Sequence, residues 1–462
     1  MQNRNKELLK NTTLLMIGNI GSKLLSFVLI PIYTSLLTTS EYGIFDLLAT
    51  TESLLIPILT IDIGDGIFRY VMDKNSNCNK VFSSGMAIWG AGCILAFFIT
   101  FIFQCIFSSE YCWFVFITFI CHSLYTILIN YAKGIDRLKI IAIGGIINTF
   151  SFGTTCILLL VILKQGLNGY MISYVIGFIV PDILIILSLM DRIKIRFEYF
   201  DFMLAKEMIK YSFPLVFASI SWWIISASDR YMVTYFCGNA SNGIYSMAYK
   251  IPNILAAVMT IFSQAWVISA VKVSDKSYYK NTYRFYTTTL SMVALIFIGL
   301  SEFFGRILYS EDFYVAWKIS PILIVAAIYQ GLTGFLCDLL TSKKDAFCIA
   351  LSSVIGSIFN ILLNFFFIQR YNALGAAIST LISYCIVWFF LCCVLSKKHY
   401  ILLLSKIDIV QIILVIVTAT CITHSLLLGY ITATLSVFII AIINYDLVKQ
   451  IFLYVIKKIL KR

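Results

Sequence analysis

Charge is scarce in this 462-residue chain: Asp, Glu, Lys and Arg supply 13% of it, about half the share in a soluble domain. Too few polar side chains are present to clothe a water-facing surface, and the 60% hydrophobic content turns toward lipid instead. Histidine is rarer still. His122, His399 and His424 are the whole complement, scattered and matching no acid–base or metal motif, which argues against an intramembrane enzyme. The thirteen Cys include no C-x-x-C pair, and several, such as Cys93, Cys156 and Cys385, read as small mid-span packing residues. Long polar segments are lacking too. The most hydrophilic stretches cover about 190–210 and 272–284, so neither face has room for a catalytic domain, and no cofactor is expected.

Apolar runs are what the chain has in abundance. Fourteen fall at about 12–37, 43–64, 81–107, 112–132, 140–163, 168–189, 211–237, 243–271, 285–308, 319–341, 346–368, 374–395, 408–428 and 430–447. Most reach the roughly 20 residues that cross a hydrocarbon core. The first is basic-flanked like a signal peptide, but it is too long, contains Pro31 and lacks an A-x-A site, so it reads as a retained helix. With the N-terminus inside, 28 of the 35 Lys and Arg lie on the cytoplasmic side; Lys164, Arg306, Lys318 and Arg370 lie outside, and Lys23, Arg230 and Lys250 within spans. One helix more or fewer would invert every later loop, so count and orientation support each other. The expected fold class is all-α: a polytopic membrane protein of about 14 transmembrane helices with both termini cytoplasmic. The formal charge of +12 is spread over short inner loops, which indicates topology and anionic-lipid contact and no nucleic acid.

Three faint echoes connect the halves. Tyr42-Gly43-Ile44-Phe45 parallels Asn242-Gly243-Ile244-Tyr245; Ile143 to Asn148 parallels Ile355 to Asn360; Asn168 to Ser173 parallels Leu374 to Ser379. Six spans separate equivalent positions, so the halves are parallel repeats. The expected organisation is a six-helix lobe at 1–190, a cytoplasmic amphipathic linker at 191–210, a second six-helix lobe at 211–396, and at 397–462 spans thirteen and fourteen with a basic tail.

A Lys or Arg at mid-bilayer costs at least roughly 2.5 kcal/mol, so each embedded cation implies a partner or a wet cavity. Lys23 shares a helix face with Asn19, Ser22 and Ser26; Ser219, Trp223, Ser226 and Arg230 form a polar stripe on span seven, with Asp229 beside it; Lys250 stands near Tyr249, Pro252 and Asn253. Asp62, Asp65 and Arg69 share a face at the inner end of span two, where an i, i+4 pair of Asp65 with Arg69 is the default. Glu52 and Asp338 stand as isolated acids. The bland alternatives are interhelical salt bridging at Lys23, neutralisation of Arg230 by Asp229, and snorkelling by Lys250. The sharper reading takes Arg69, Lys23, Lys250 and Arg230 as cations at successive depths, suited to a phosphate or pyrophosphate that must cross.

These features resemble the oligosaccharide flippases of O-antigen and capsule synthesis, in the multidrug/oligosaccharidyl-lipid/polysaccharide exporter superfamily. The strings that carry the likeness are Glu41-Tyr42-Gly43-Ile44, Asp65-Gly66-Ile67-Phe68-Arg69-Tyr70, Ser228-Asp229-Arg230-Tyr231 and Gly243-Ile244-Tyr245. The resemblance implies a bacterial inner-membrane protein that moves undecaprenyl-diphosphate-linked oligosaccharide repeat units across by alternating access, with membrane lipid, a polysaccharide polymerase and chain-length proteins as partners. It implies substrate binding by Lys23, Arg69, Arg230 and Lys250. Glu52, Asp62, Asp65 and Asp229 are candidates for charge pairing or for coupling to a proton or Na⁺ gradient, and Trp222 and Trp223 for stacking on sugar. Rivals are a lipid II flippase, a drug/cation antiporter of the same superfamily and, from another class, a membrane polysaccharide polymerase.

Overall fold

The computed structural model describes residues 21–23, 25–73, 76–191, 197–272, 275–343, 345–398 and 406–445. Every regular element among them is helical, as lipid demands of a backbone that finds no water to bond. In chain order these are α1 (Gly21–Leu36), α2 (Thr39–Thr60), α3 (Ile63–Val71), α4 (Cys78–Phe107), α5 (Cys112–Gly134), α6 (Leu138–Cys156), α7 (Gly166–Leu189), α8 (Phe202–Cys237), α9 (Asn239–Ala248), α10 (Lys250–Lys272), α11 (Lys276–Gly299), α12 (Ser301–Leu308), α13 (Ala316–Ser342), α14 (Ala346–Lys397), α15 (Lys406–His424) and α16 (Leu426–Ile443).

Among the described residues ten helices are long and apolar enough to span a membrane, or eleven if α11 and α12, bent by 53°, form one broken span. Over its described residues, each of the fourteen apolar runs coincides with helix. Two of them merge in α14, which reverses at Asn372 (φ 51°, ψ −137°), a left-handed position that Asn tolerates better than most residues. The eighth run divides into α9 and α10 at Tyr249. Residues 12–20 of the first run lie outside the described residues.

The chain divides into two compact units, Met1–Trp223 and Ile224–Arg462. The expected linker at 191–210 has residues 192–196 outside the described residues, and from Phe202 it is continuous with span seven in α8.

In the first unit α2 opens on a capping box: the Thr38 hydroxyl accepts from the Glu41 N–H, and the Glu41 carboxylate accepts from the Thr38 N–H at 2.9 Å. It ends where Ile61 and Asp62 both turn left-handed (φ 55° and 48°), so α3 sets off in a new direction. Ile63 and Ile67 of α3, Phe82 of α4, Leu128 and Tyr131 of α5 and Met208 of α8 form a sealed core. Close helix approach, the main source of association in lipid, rests on glycine: a Cβ on Gly92 would overlap the carbonyl oxygen of Leu59. The other face of α4 carries Ile94, Phe98, Phe101, Ile102 and Ile106, each more than half exposed, a surface that only lipid can solvate.

In the second unit α13 is buried along most of its length. Spans thirteen and fourteen dock on α11 through Gln411 Nε2 to Thr288 (3.2 Å) and Arg284 Nε to Asn444 (3.1 Å). The echoes occupy matching local positions. Tyr42, Gly43 and Phe45 are buried in the opening turns of α2, as Asn242, Gly243 and Tyr245 are in α9. A Cβ on Gly144 would press on Ile185 of α7, and one on Gly356 on Val387 of the second arm of α14.

Candidate functional site

Of the four cations, Lys23 and Arg69 lie in the first unit and Arg230 and Lys250 in the second. Lys23 is exposed near the start of α1, and its expected neighbour Asn19 lies outside the described residues. Arg69, in the last turn of α3, pairs with Asp73 at 2.5 Å, both side chains being about half exposed. The expected Asp65–Arg69 pair is therefore absent. Asp65 and Arg69 share the nine-residue α3, but Asp73, four residues beyond Arg69, takes its guanidinium, and Asp65 in the first turn feels the charge of Lys133 on α5. Asp62 does not share a continuous helix with them. It accepts from the Ser219 hydroxyl of α8 at 2.7 Å.

Arg230 is half-buried, donating from Nη1 to the Ser226 carbonyl at 3.1 Å, with its guanidinium 5.3 Å from the Tyr249 ring centroid. That ring face attracts a cation. Lys250 opens α10, half-buried, so the α9–α10 joint carries Tyr249 and Lys250 in succession. The indole N–H of Trp223 donates to the Thr50 carbonyl (3.2 Å) and the Ser53 hydroxyl (3.0 Å) of α2.

Two of the acids, Asp229 and Glu52, are buried more deeply than any of the four cations. Asp229 is fully buried. Tyr245, Tyr249 (3.4 Å) and Thr380 (3.2 Å) all donate to its Oδ2, while Oδ1 has no hydrogen-bond partner among the described residues. Nearby in sequence, Ser228 donates to the Asn360 oxygen (3.3 Å), which also accepts from Asn364 at 2.9 Å; the Asn364 oxygen too lacks a partner. Orphaned buried acceptors of this kind call for a proton, a water or a cation.

Glu52 is not isolated. With 1% of its side chain exposed it lies 2.7 Å from Nδ1 of His122 on α5, and the Tyr174 hydroxyl of α7 donates to its other oxygen at 3.5 Å. Asp338 likewise accepts from Ser263 at 2.5 Å. No local pattern marks these partners, which stand 70 and 122 positions from Glu52 and 75 from Asp338. The polar pair Asn360 and Asn364, one turn apart in an apolar run, was the signal available for the second unit.

This arrangement of membrane helices defines a fold found among exporters and flippases rather than enzymes. It is similar to the inward closed conformation of the lipid II flippase MurJ (16% identity, TM-score 0.70, covering 95% of this chain and 100% of that one). It is also similar to an inward-facing multidrug resistance MATE family transporter of the MOP superfamily (10%, 0.64, 83% and 95%). A MOP superfamily transporter from Pyrococcus furiosus, described as having a binding pocket of reversed polarity, matches as well (11%, 0.51, 84% and 96%). No curated protein matches the sequence. Residues 8–268 match the polysaccharide biosynthesis protein family, and the chain belongs to that family: a multi-pass membrane protein.

Proposed function

We propose that the chain is a flippase of the bacterial cytoplasmic membrane that carries undecaprenyl-diphosphate-linked oligosaccharide repeat units to the outer leaflet by alternating access, for O-antigen or capsule synthesis. The observation that carries this reading is a set of cations on membrane helices, Lys23, Arg230 and Lys250 with Arg69 at an inner helix end, in a member of a polysaccharide biosynthesis family. A diphosphate is the anion such a set fits. Arg binds it through two parallel hydrogen bonds and Lys as a point charge, while the polyprenyl tail remains in lipid. A polymerase and chain-length proteins would take the product.

Coupling to a cation gradient is supported by Asp229, a fully buried acid whose Oδ1 has no hydrogen-bond partner among the described residues. Glu52 is a second candidate. Asp62 and Asp65, beside the α2–α3 break, would act as charge partners. Lipid II transport is the alternative that the similarity to MurJ over 95% of this chain favours.

Deleting the gene is expected to remove surface polysaccharide and to leave its lipid-linked repeat on the cytoplasmic side, with complementation restoring export. Arrest of cell-wall synthesis with surface polysaccharide intact would favour the lipid II reading instead.

A further inference from the structure

The coupled-transport reading leaves open which ion the first unit handles, and the contact between Glu52 and His122 bears on that question. We propose that these two side chains form a proton-binding site: the imidazole takes up and releases the proton, and the sealed carboxylate holds it in place. The proposal rests on that reading only for its role in transport, since proton binding is measurable without it.

The pair is asymmetric in access. Glu52 is 1% exposed and His122 29%, so a proton reaches the pair through the ring and not through the carboxylate. Against an ionised Glu52, Nδ1 at 2.7 Å carries the hydrogen, which leaves Nε2 as the basic nitrogen. The ring lies 4.3 Å from Phe178 at an interplanar angle of 19°, held flat against a π face that tolerates the cationic form. Taking one proton from solution onto Nε2 converts a buried negative charge into a neutral ion pair, which an apolar interior favours. Releasing the proton from Nε2 to the opposite solution restores the start, with no other atom transferred.

The donor set selects a proton over a metal ion. Both neighbours of Glu52, the His122 N–H and the Tyr174 O–H, donate to it, whereas a metal cation needs several converging oxygen acceptors. Among the described residues no three His, Cys, Asp or Glu side chains group to hold a metal. The titratable groups that feel Glu52 are Cys121 on α5 and Tyr174 on α7; beyond them, Asp46 on α2 acts on Tyr174, and Asp182 on α7 acts on Cys121 and Tyr125. Asp182 is itself buried with one oxygen unpartnered. Asp62 and Asp65 lie some ten residues on, about 15 Å along the helix direction, beyond the end of α2.

The α2, α5 and α7 helices meet at this site, so loading it ties them together and unloading it slackens them. The full-length chain in lipid nanodiscs with ¹⁵N-labelled histidine gives the direct test, His122 being assigned by loss of its signal in His122→Gln. The ring signal is expected to change between its neutral and cationic forms as pH is varied, and Glu52→Gln to displace that change. A ring that never changes form, or a transition that Glu52→Gln leaves in place, overturns the proposal. In proteoliposomes, an imposed pH gradient is expected to speed flipping of a fluorescent undecaprenyl-diphosphate disaccharide several-fold, and His122→Gln to bring that ratio to one with the protein still folded. A ratio unchanged in His122→Gln removes the pair from coupling; a wild type that flips no probe defeats the flippase reading while the ¹⁵N measurement still decides the site.

Discussion

A positive side chain in a membrane helix persists only where something answers its charge, and the cations of this chain are answered differently. Arg69 meets Asp73 in a half-exposed pair, an arrangement that solvent screening leaves with little effect on stability. Arg230 rests on a carbonyl and a tyrosine ring. Arg69→Ala is therefore expected to leave protein levels and melting temperature in detergent nearly unchanged, so that any loss of export reports on substrate. Outside the spans, the Leu204 N–H and then Lys80 hold the Asp201 carboxyl below its ordinary value. Its stabilising contribution is present above about pH 4 and is lost as pH falls through the lowered value. Asp201→Asn should thus lower the unfolding temperature at pH 7, by a deficit that shrinks as the pH falls through the lowered value; a deficit that stays equal at all pH values would show that charge is not the cause. The cations were legible in the sequence because a Lys or Arg stands out in an apolar run. Their partners were not. Glu52 looked solitary because His122 and Tyr174 come from α5 and α7, and no spacing rule reaches across helices.

Helices were the most legible elements, since an apolar run long enough to cross lipid leaves the backbone no alternative. What escaped was where they break. Asp62, Asp65 and Arg69 fit one continuous helix face by spacing, yet the left-handed Ile61 and Asp62 split it, and neither residue type announces such a turn in the way Gly would. Glycines at close approaches can be tested at the same scale. A Cβ on Gly375 would overlap the Phe367 carbonyl oxygen where the arms of α14 meet, whereas one on Gly90 of α4 meets nothing within 4 Å. Gly375→Ala is expected to destabilise by about 1–3 kcal/mol and Gly90→Ala to be neutral or slightly favourable, as read from thermal unfolding in detergent. Equal melting temperatures for the two variants would contradict the packing described.

At the scale of the whole molecule, the alternation of basic and nearly cation-free loops and the three sequence echoes revealed a many-span protein with repeated halves. They did not locate the proposed ion sites, which involve buried oxygens such as Asp229 Oδ1 and pairs formed between helices. The orientation has its own test: a single cysteine replacing Asn239, in a background lacking the native thiols, should react with an impermeant reagent applied from outside intact cells. Labelling only after the membrane is breached would reverse the topology. The central claim is that embedded cations escort a lipid's anionic head across the bilayer. It is tested most directly by the flipping rate of a fluorescent undecaprenyl-diphosphate sugar in proteoliposomes holding wild-type protein, Lys23→Ala/Arg230→Ala, or the charge-keeping Lys23→Arg/Arg230→Lys. The account predicts a loss of about tenfold or more for the alanine pair and most of the rate kept by the charge-keeping pair, at equal protein content. A wild-type rate in the alanine pair would contradict it.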